Sequence, residues 1–137
     1  MQINPANRGK YAESLLKNHF TRLAKQIDTV FHRLADARAG SFAPALADFL
    51  LLNKGQLYLI ECKQVNHTHR LPHGSFNERQ VASMRTWQLA GAQAIILIYH
   101  TPLDAWRGLP LDHFLDRSQG GSWDLSHIPT VKLEDLI

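Results

Sequence analysis

The sequence predicts an α/β fold, a mixed β-sheet flanked by helices with a helix-strand-strand-strand-helix-strand core. Three observations predict it. An amphipathic stretch from Gly9 to Lys25 opens the chain. Two apolar runs between Ala45 and Gln64 flank a Lys54-Gly55 turn signal. A third apolar run of strand length, Ala94 to Tyr99, follows a second helical stretch, so strand, helix and strand imply a right-handed crossover beside the hairpin.

In the first stretch Tyr11, Leu15, Leu16, Phe20, Leu23 and Ala24 recur at helical spacing, while Lys10, Glu13, Lys17, Arg22 and Lys25 occupy the other face. Thr29 to Leu34 reads as a short strand rich in β-branched and aromatic residues, and Ala35 to Pro44 as a loop. With Lys54 and Gly55 as the only free turn residues, Asn53 faces Gln56 across a hairpin. Counting back pairs Leu52 with Leu57, Leu50 with Leu59 and Asp48 with Glu61. One face then carries Leu46, Asp48, Leu50 and Leu52 beside Leu57, Leu59, Glu61 and Lys63. The other carries Ala47, Phe49, Leu51, Tyr58, Ile60 and Cys62, and two apolar faces mean a sheet covered on both sides.

After Lys63 the segment NHTHRLPHGSFNE is a polar loop. Its His67, His69 and His73 have no fourth ligand at a recognised zinc spacing, and a loop leaving the end of an active strand is better suited to donating to phosphate. Asn77 caps a second helix that runs to Ala90, offers Val81, Met84, Trp87 and Leu89 for packing, and stops at Gly91. Beyond Pro102 the periodic signal weakens. Trp106 and Pro110 to Leu115 form a short packing element, Gly120-Gly121 a turn, and Lys132 to Ile137 a terminal helical turn.

Asp48, Glu61 and Lys63 stand where a core sheet ordinarily carries none of these groups. Cross-strand partners have Cβ atoms about 4.5–5.5 Å apart, so the two carboxylates are neighbours. Poorly solvated like charges either hold a proton between them or bind a cation. An oxygen-rich pair suits Mg2+ or Mn2+, and a lysine on the same face can orient or deprotonate the attacking water or hold the charge of a phosphate. A three-residue turn instead sets Asp48 against Ile60, unless a bulge restores the parity. The plainer alternative is a buried ion pair of Lys63 with one carboxylate, which leaves the other carboxylate over.

Length and composition set the bounds. At 137 residues the chain is expected to be one domain, with a core large enough to need no staple. Its only cysteine, Cys62, excludes an internal disulfide and reads as a core thiol. No apolar run reaches spanning length and the first residues lack a signal-peptide core, so a soluble, cytoplasmic protein is expected. A formal net charge of +3, with eight histidines in reserve, is compatible with a nucleic-acid partner.

An Asp followed on the next strand by Glu-x-Lys, here Asp48 and Glu61-Cys62-Lys63, resembles the PD-(D/E)XK nuclease superfamily. Ala47 stands where a proline often precedes the aspartate. Asn7-Arg8-Gly9 before Glu13, Leu71-Pro72 and Phe76 running into Gln80, the Ala94 to His100 strand and the Gly120-Gly121 tail look like the RecU-like Holliday junction resolvases. The short loop ADARAGSFAPAL stands where those enzymes carry a longer stalk, which moves the chain toward the compact archaeal-type resolvases.

The resemblance implies a restriction-endonuclease-like fold and a metal-dependent, structure-selective endonuclease acting on four-way junctions as a homodimer. It implies that Asp48, Glu61 and the Cys62 carbonyl hold the metal and that Lys63 positions the attacking water. Glu13 would be the accessory acid and Gln80 a support for the site or a phosphate. Without a sequence-reading element, contacts fall mainly on phosphates, with Arg8, Lys10, Arg33, Arg38, His69, Arg70, Arg79 and Arg85 as candidates. A nuclease of flaps, ends or foreign DNA, and an inactive DNA-binding module, are the alternatives.

Overall fold

The computed structural model describes residues 10–34, 46–66, 69–115 and 121–136. The predicted loop at 35–44 and the candidates Arg8, His67 and Arg38 lie outside them. Among the described residues the chain runs α1 (Lys10–Leu23), β1 (Thr29–Arg33), β2 (Phe49–Asn53), β3 (Gln56–Val65), β4 (Arg70–Pro72), α2 (Glu78–Leu89), β5 (Gln93–His100), β6 (Ala105–Pro110), β7 (Ser122–Asp124), β8 (Thr130–Val131) and α3 (Leu133–Leu136). The six-stranded sheet has the order β1-β2-β3-β5-β6-β8; β4 and β7 pair separately. The mixed α/β architecture is the one expected.

The hairpin forms on its two free residues, with Asn53 opposite Gln56, Leu52 opposite Leu57 and Leu50 opposite Leu59. Lys54 and Gly55 both adopt positive φ, 51° and 83°, which matches the twist of the flanking strands. β3 then pairs parallel with β5 from Tyr58 to Val65, while its ladder with β2 stops at Ile60 opposite Phe49. From Glu61 onward the β2-facing edge of β3 therefore has no strand on it among the described residues.

Among the described residues α1 covers one face, with Leu133 and Leu136 of α3 beside it, and α2 covers the other. Ala12, Leu16 and Phe20 form a stripe at four-residue spacing on α1 that packs on Phe49, Leu51, Ile60, Cys62, Leu97 and Tyr99. Met84 of α2 packs on the opposite face with Leu59, Ala94, Ile96 and Ile98. Asn77 caps α2, its side chain accepting from the Arg79 N–H at 2.8 Å and the Gln80 N–H at 3.4 Å.

Two expectations are corrected. Ala47 packs in the Leu59 cluster, not with Phe49, because the strict alternation fails just before β2. The weak-signal region after Pro102 holds a further core strand, β6, antiparallel to β5. Gly108 lets β6 approach, since a Cβ there would lie 2.8 Å from Leu97 Cδ2. No helix among the described residues is long and apolar enough to cross a membrane.

Gly55→Ala places a side chain at φ 83° and should cost about 1–2 kcal/mol in denaturant unfolding. Gly74→Ala, where φ is not positive and the space is open, should be near neutral.

Candidate active site

The end of β2 and the unpaired edge of β3 bring three charged side chains together. The Asp48 N–H donates to the Ile60 carbonyl at 3.1 Å although Phe49 is the ladder partner of Ile60. Asp48 and Phe49 thus both oppose Ile60, the two-against-one arrangement of a bulge, and the Asp48 carbonyl accepts from the Leu34 N–H at 2.8 Å. The expected ladder pairing of Asp48 with Glu61 is therefore replaced by a bulge, which explains why Ala47 changes face. Asp48 Oδ2 reaches the vacated edge and accepts from the Cys62 N–H at 2.7 Å, a bond a continuing strand would otherwise have made.

Glu61 and Lys63 follow on the face that α2 covers. Glu61 is 4 % exposed. Its Oε2 receives Lys63 Nζ at 3.0 Å, while Oε1 is buried and accepts no hydrogen bond among the described residues. Lys63 Nζ also lies 5.0 Å from the centroid of the Phe76 ring, a cation–π contact that fixes the other side of the ammonium. The predicted ion pair and the predicted surplus carboxylate thus coexist.

That surplus is electrostatically costly. Burial pushes the Asp48 carboxyl well above the ordinary carboxylate range, and the adjacent Glu61 carboxylate pushes it the same way. The Cys62 N–H opposes the shift and Glu13 adds to it. Without a cation the pair therefore favours holding a proton. The Cys62 thiol is raised too, by burial first and then by Asp48, Glu13 and Glu61, so it is an inert core thiol.

Glu13, in the first turn of α1, binds Arg33 at 2.8 Å and is near enough for its charge to reach Asp48. Gln80 lies in the first turn of α2, which begins beside the Phe76 that supports Lys63. Its backbone N–H meets the Asn77 cap, and no contact among the described residues joins its side chain to the carboxylates.

The basic candidates are scattered. Lys10 and Arg79 are exposed in the first turns of α1 and α2, and Arg33, opposite Phe49, stands next to Asp48. Arg70 is tied to Ser122 Oγ at 2.7 Å and Asp124 at 4.0 Å, and Arg85 to Asp112 at 3.4 Å. The rings of His69 and His73 stand against His100 at 5.2 Å and Trp123 at 4.2 Å, respectively.

Two supporting residues escaped the sequence reading. Phe76 appeared only as part of a motif, and nothing in a sequence says that a lysine will sit over its ring. Gln64 bonds the backbone of α1 at Ala12, 52 positions away, a partner that appears only once the helix lies on the sheet.

The carboxylate pair fits a hard divalent cation: two adjacent, poorly solvated carboxyls, with Glu61 raising the cost of ionising Asp48, are an oxygen donor set short of positive charge. No protein-family model matches the chain, and no curated protein matches it significantly. Among solved structures it is similar to Hjc of Archaeoglobus fulgidus, a Holliday junction resolvase from an archaeal hyperthermophile. The TM-score is 0.57 at 24 % identity, covering 81 % of this chain and 86 % of that one. The chain thus has the fold of that archaeal resolvase.

Because its folded pKa is raised, Asp48 favours the folded state fully below the unfolded carboxylate value, and this contribution is lost as pH rises toward the folded value. Asp48→Asn should therefore raise the melting temperature of metal-free protein near pH 8, by about 5 °C. The gain should vanish near pH 4. Melting curves across that range check both the sign and the window.

Proposed function

We propose that the chain is a metal-dependent, structure-selective DNA endonuclease that resolves four-way junctions. The observation that carries this reading is the Asp48 and Glu61 pair with Lys63 at the open edge of β3, within a fold similar to that of an archaeal resolvase. Asp48 and Glu61 would hold Mg2+ or Mn2+, Glu61 through its orphan Oε1. The N–H and C=O of a strand residue point to the same neighbour, so the Cys62 carbonyl shares the edge to which its N–H donates and is the third ligand. Such a cation, when bound, polarises the phosphoryl oxygen and stabilises the charge that grows on it.

The chain's own groups complete the chemistry. Lys63, restrained by Glu61 Oε2 and the Phe76 ring, presents a fixed ammonium that orients the attacking water and offsets phosphate charge. Glu13 is the accessory acid, and Gln80 supports a phosphate from the first turn of α2, where helix N–H groups favour anions. Arg33 stands beside the site and Lys10 and Arg79 are exposed in the first turns of the two helices, so contacts fall on the phosphate backbone and selectivity comes from DNA shape. Paired cuts on a junction call for two copies, hence a homodimer. An inactive binding module has no use for two adjacent, poorly solvated carboxylates.

The test is a panel of four-way junction, flap, linear duplex and single strand with Mg2+ or Mn2+. The junction should be cut fastest. Asp48→Asn and Lys63→Ala should each reduce cleavage by about a hundred- to a thousandfold, with junction binding retained. Faster cutting of flaps or ends reassigns the substrate and keeps the chemistry; no cleavage of any DNA refutes the enzyme.

A further inference from the structure

Gln64 has no part in the reading above, yet it is the side chain that ties the first helix to the catalytic strand. We propose that Gln64 is a positioning residue, which latches the first turn of α1 to the end of β3 and so sets Glu13 against the Asp48 and Glu61 pair. The inference rests on the nuclease reading and deepens it.

The first N–H groups of a helix have no acceptor within it. In α1, which begins at Lys10, Ala12 is one of these donors, and its N–H is taken by Gln64 Oε1 at 3.0 Å. The amide is held at its other end as well. Gln64 Nε2 donates to Asn66 Oδ1 at 2.8 Å, and the same oxygen accepts from Thr101 Oγ1 at 2.8 Å, just beyond β5. One side chain, pinned at both ends, therefore joins α1 to β3 and to the end of β5.

Strand geometry makes this position special. Cys62 belongs to the α1 face, so Gln64, two residues on, shares it, while Glu61 and Lys63 point to the α2 face. A single strand thus presents the charged pair on one side and the helix latch on the other, one residue apart. The latched residue, Ala12, immediately precedes Glu13. Arg33 restrains the Glu13 carboxylate from β1 at 2.8 Å, and the charge so placed is felt at both Asp48 and the Cys62 thiol. Arg33 fixes the tip of the side chain, and Gln64 fixes the backbone from which it springs.

Glutamine is the residue that meets both demands, an acceptor for Ala12 and a donor for Asn66. Gln64→Ala removes both bonds, while Gln64→Glu keeps the acceptor and loses the donor. The experiment is a double-mutant cycle with Glu13→Gln, reading single-turnover cleavage of a four-way junction with Mg2+ together with amide exchange at Ala12. Gln64→Ala should lower the cleavage rate about 10- to 100-fold with junction affinity unchanged, and should speed exchange at Ala12. In the Glu13→Gln background it should slow cleavage no further. Gln64→Glu should recover the slow exchange at Ala12 and a large part of the rate.

Losses that multiply in the double variant, or an Ala12 exchange rate that Gln64→Ala leaves unchanged, overturn the latch while wild-type cleavage upholds the enzyme. A wild-type protein that cuts no DNA, with Ala12 still protected, refutes the nuclease and the role given to Glu13 together.

Discussion

The site exists because β2 leaves β3 too early. The ladder ends where Phe49 faces Ile60, but β3 runs on to Val65 with β5 on its other side. Buried strand edges must be satisfied, so something has to bond the exposed Cys62 N–H. A side-chain oxygen of Asp48 does so, and the bulge at the end of β2 aims it there. The backbone requirement of the sheet and the placement of the carboxylate are one event.

Charge follows from that placement. The bond from the Cys62 N–H draws the Asp48 carboxylate to the edge beside Glu61, and Lys63 follows two residues later on the face of Glu61. One lysine cannot neutralise two carboxylates, so burial and the Glu61 charge raise the Asp48 pKa and favour a proton between them. On the proposed reading a cation would replace that proton and supply the missing positive charge. The arrangement resembles a stable ion pair with one ligand too many, and the surplus distinguishes it from an ordinary buried salt bridge.

The sequence revealed the hairpin almost residue for residue, because Lys54-Gly55 admits one short turn and the leucines fix its register. It also placed both covering helices and the N-cap Asn77. It hid what depends on breaks in periodicity. The Asp48 bulge was hidden: a bulge entered the sequence reading only as a way to restore the Asp48–Glu61 pairing, and alternation alone sends Ala47 to the wrong face. β6 was missed because Gly108 and Pro110 interrupt its apolar pattern, although that glycine is what lets the strand pack on Leu97. Gln64 and Phe76 act through contacts set by tertiary packing, which no local spacing encodes.

The central claim is that Asp48 and Glu61 form a cation site waiting on a proton. Calorimetric titration of Mn2+ at two pH values, in buffers of different ionisation heat, tests it most directly. One ion should bind per site with net release of about one proton, more tightly as pH rises, and Asp48→Asn should abolish the binding. Binding that neither releases a proton nor responds to Asp48→Asn, or no binding at all, would contradict the account.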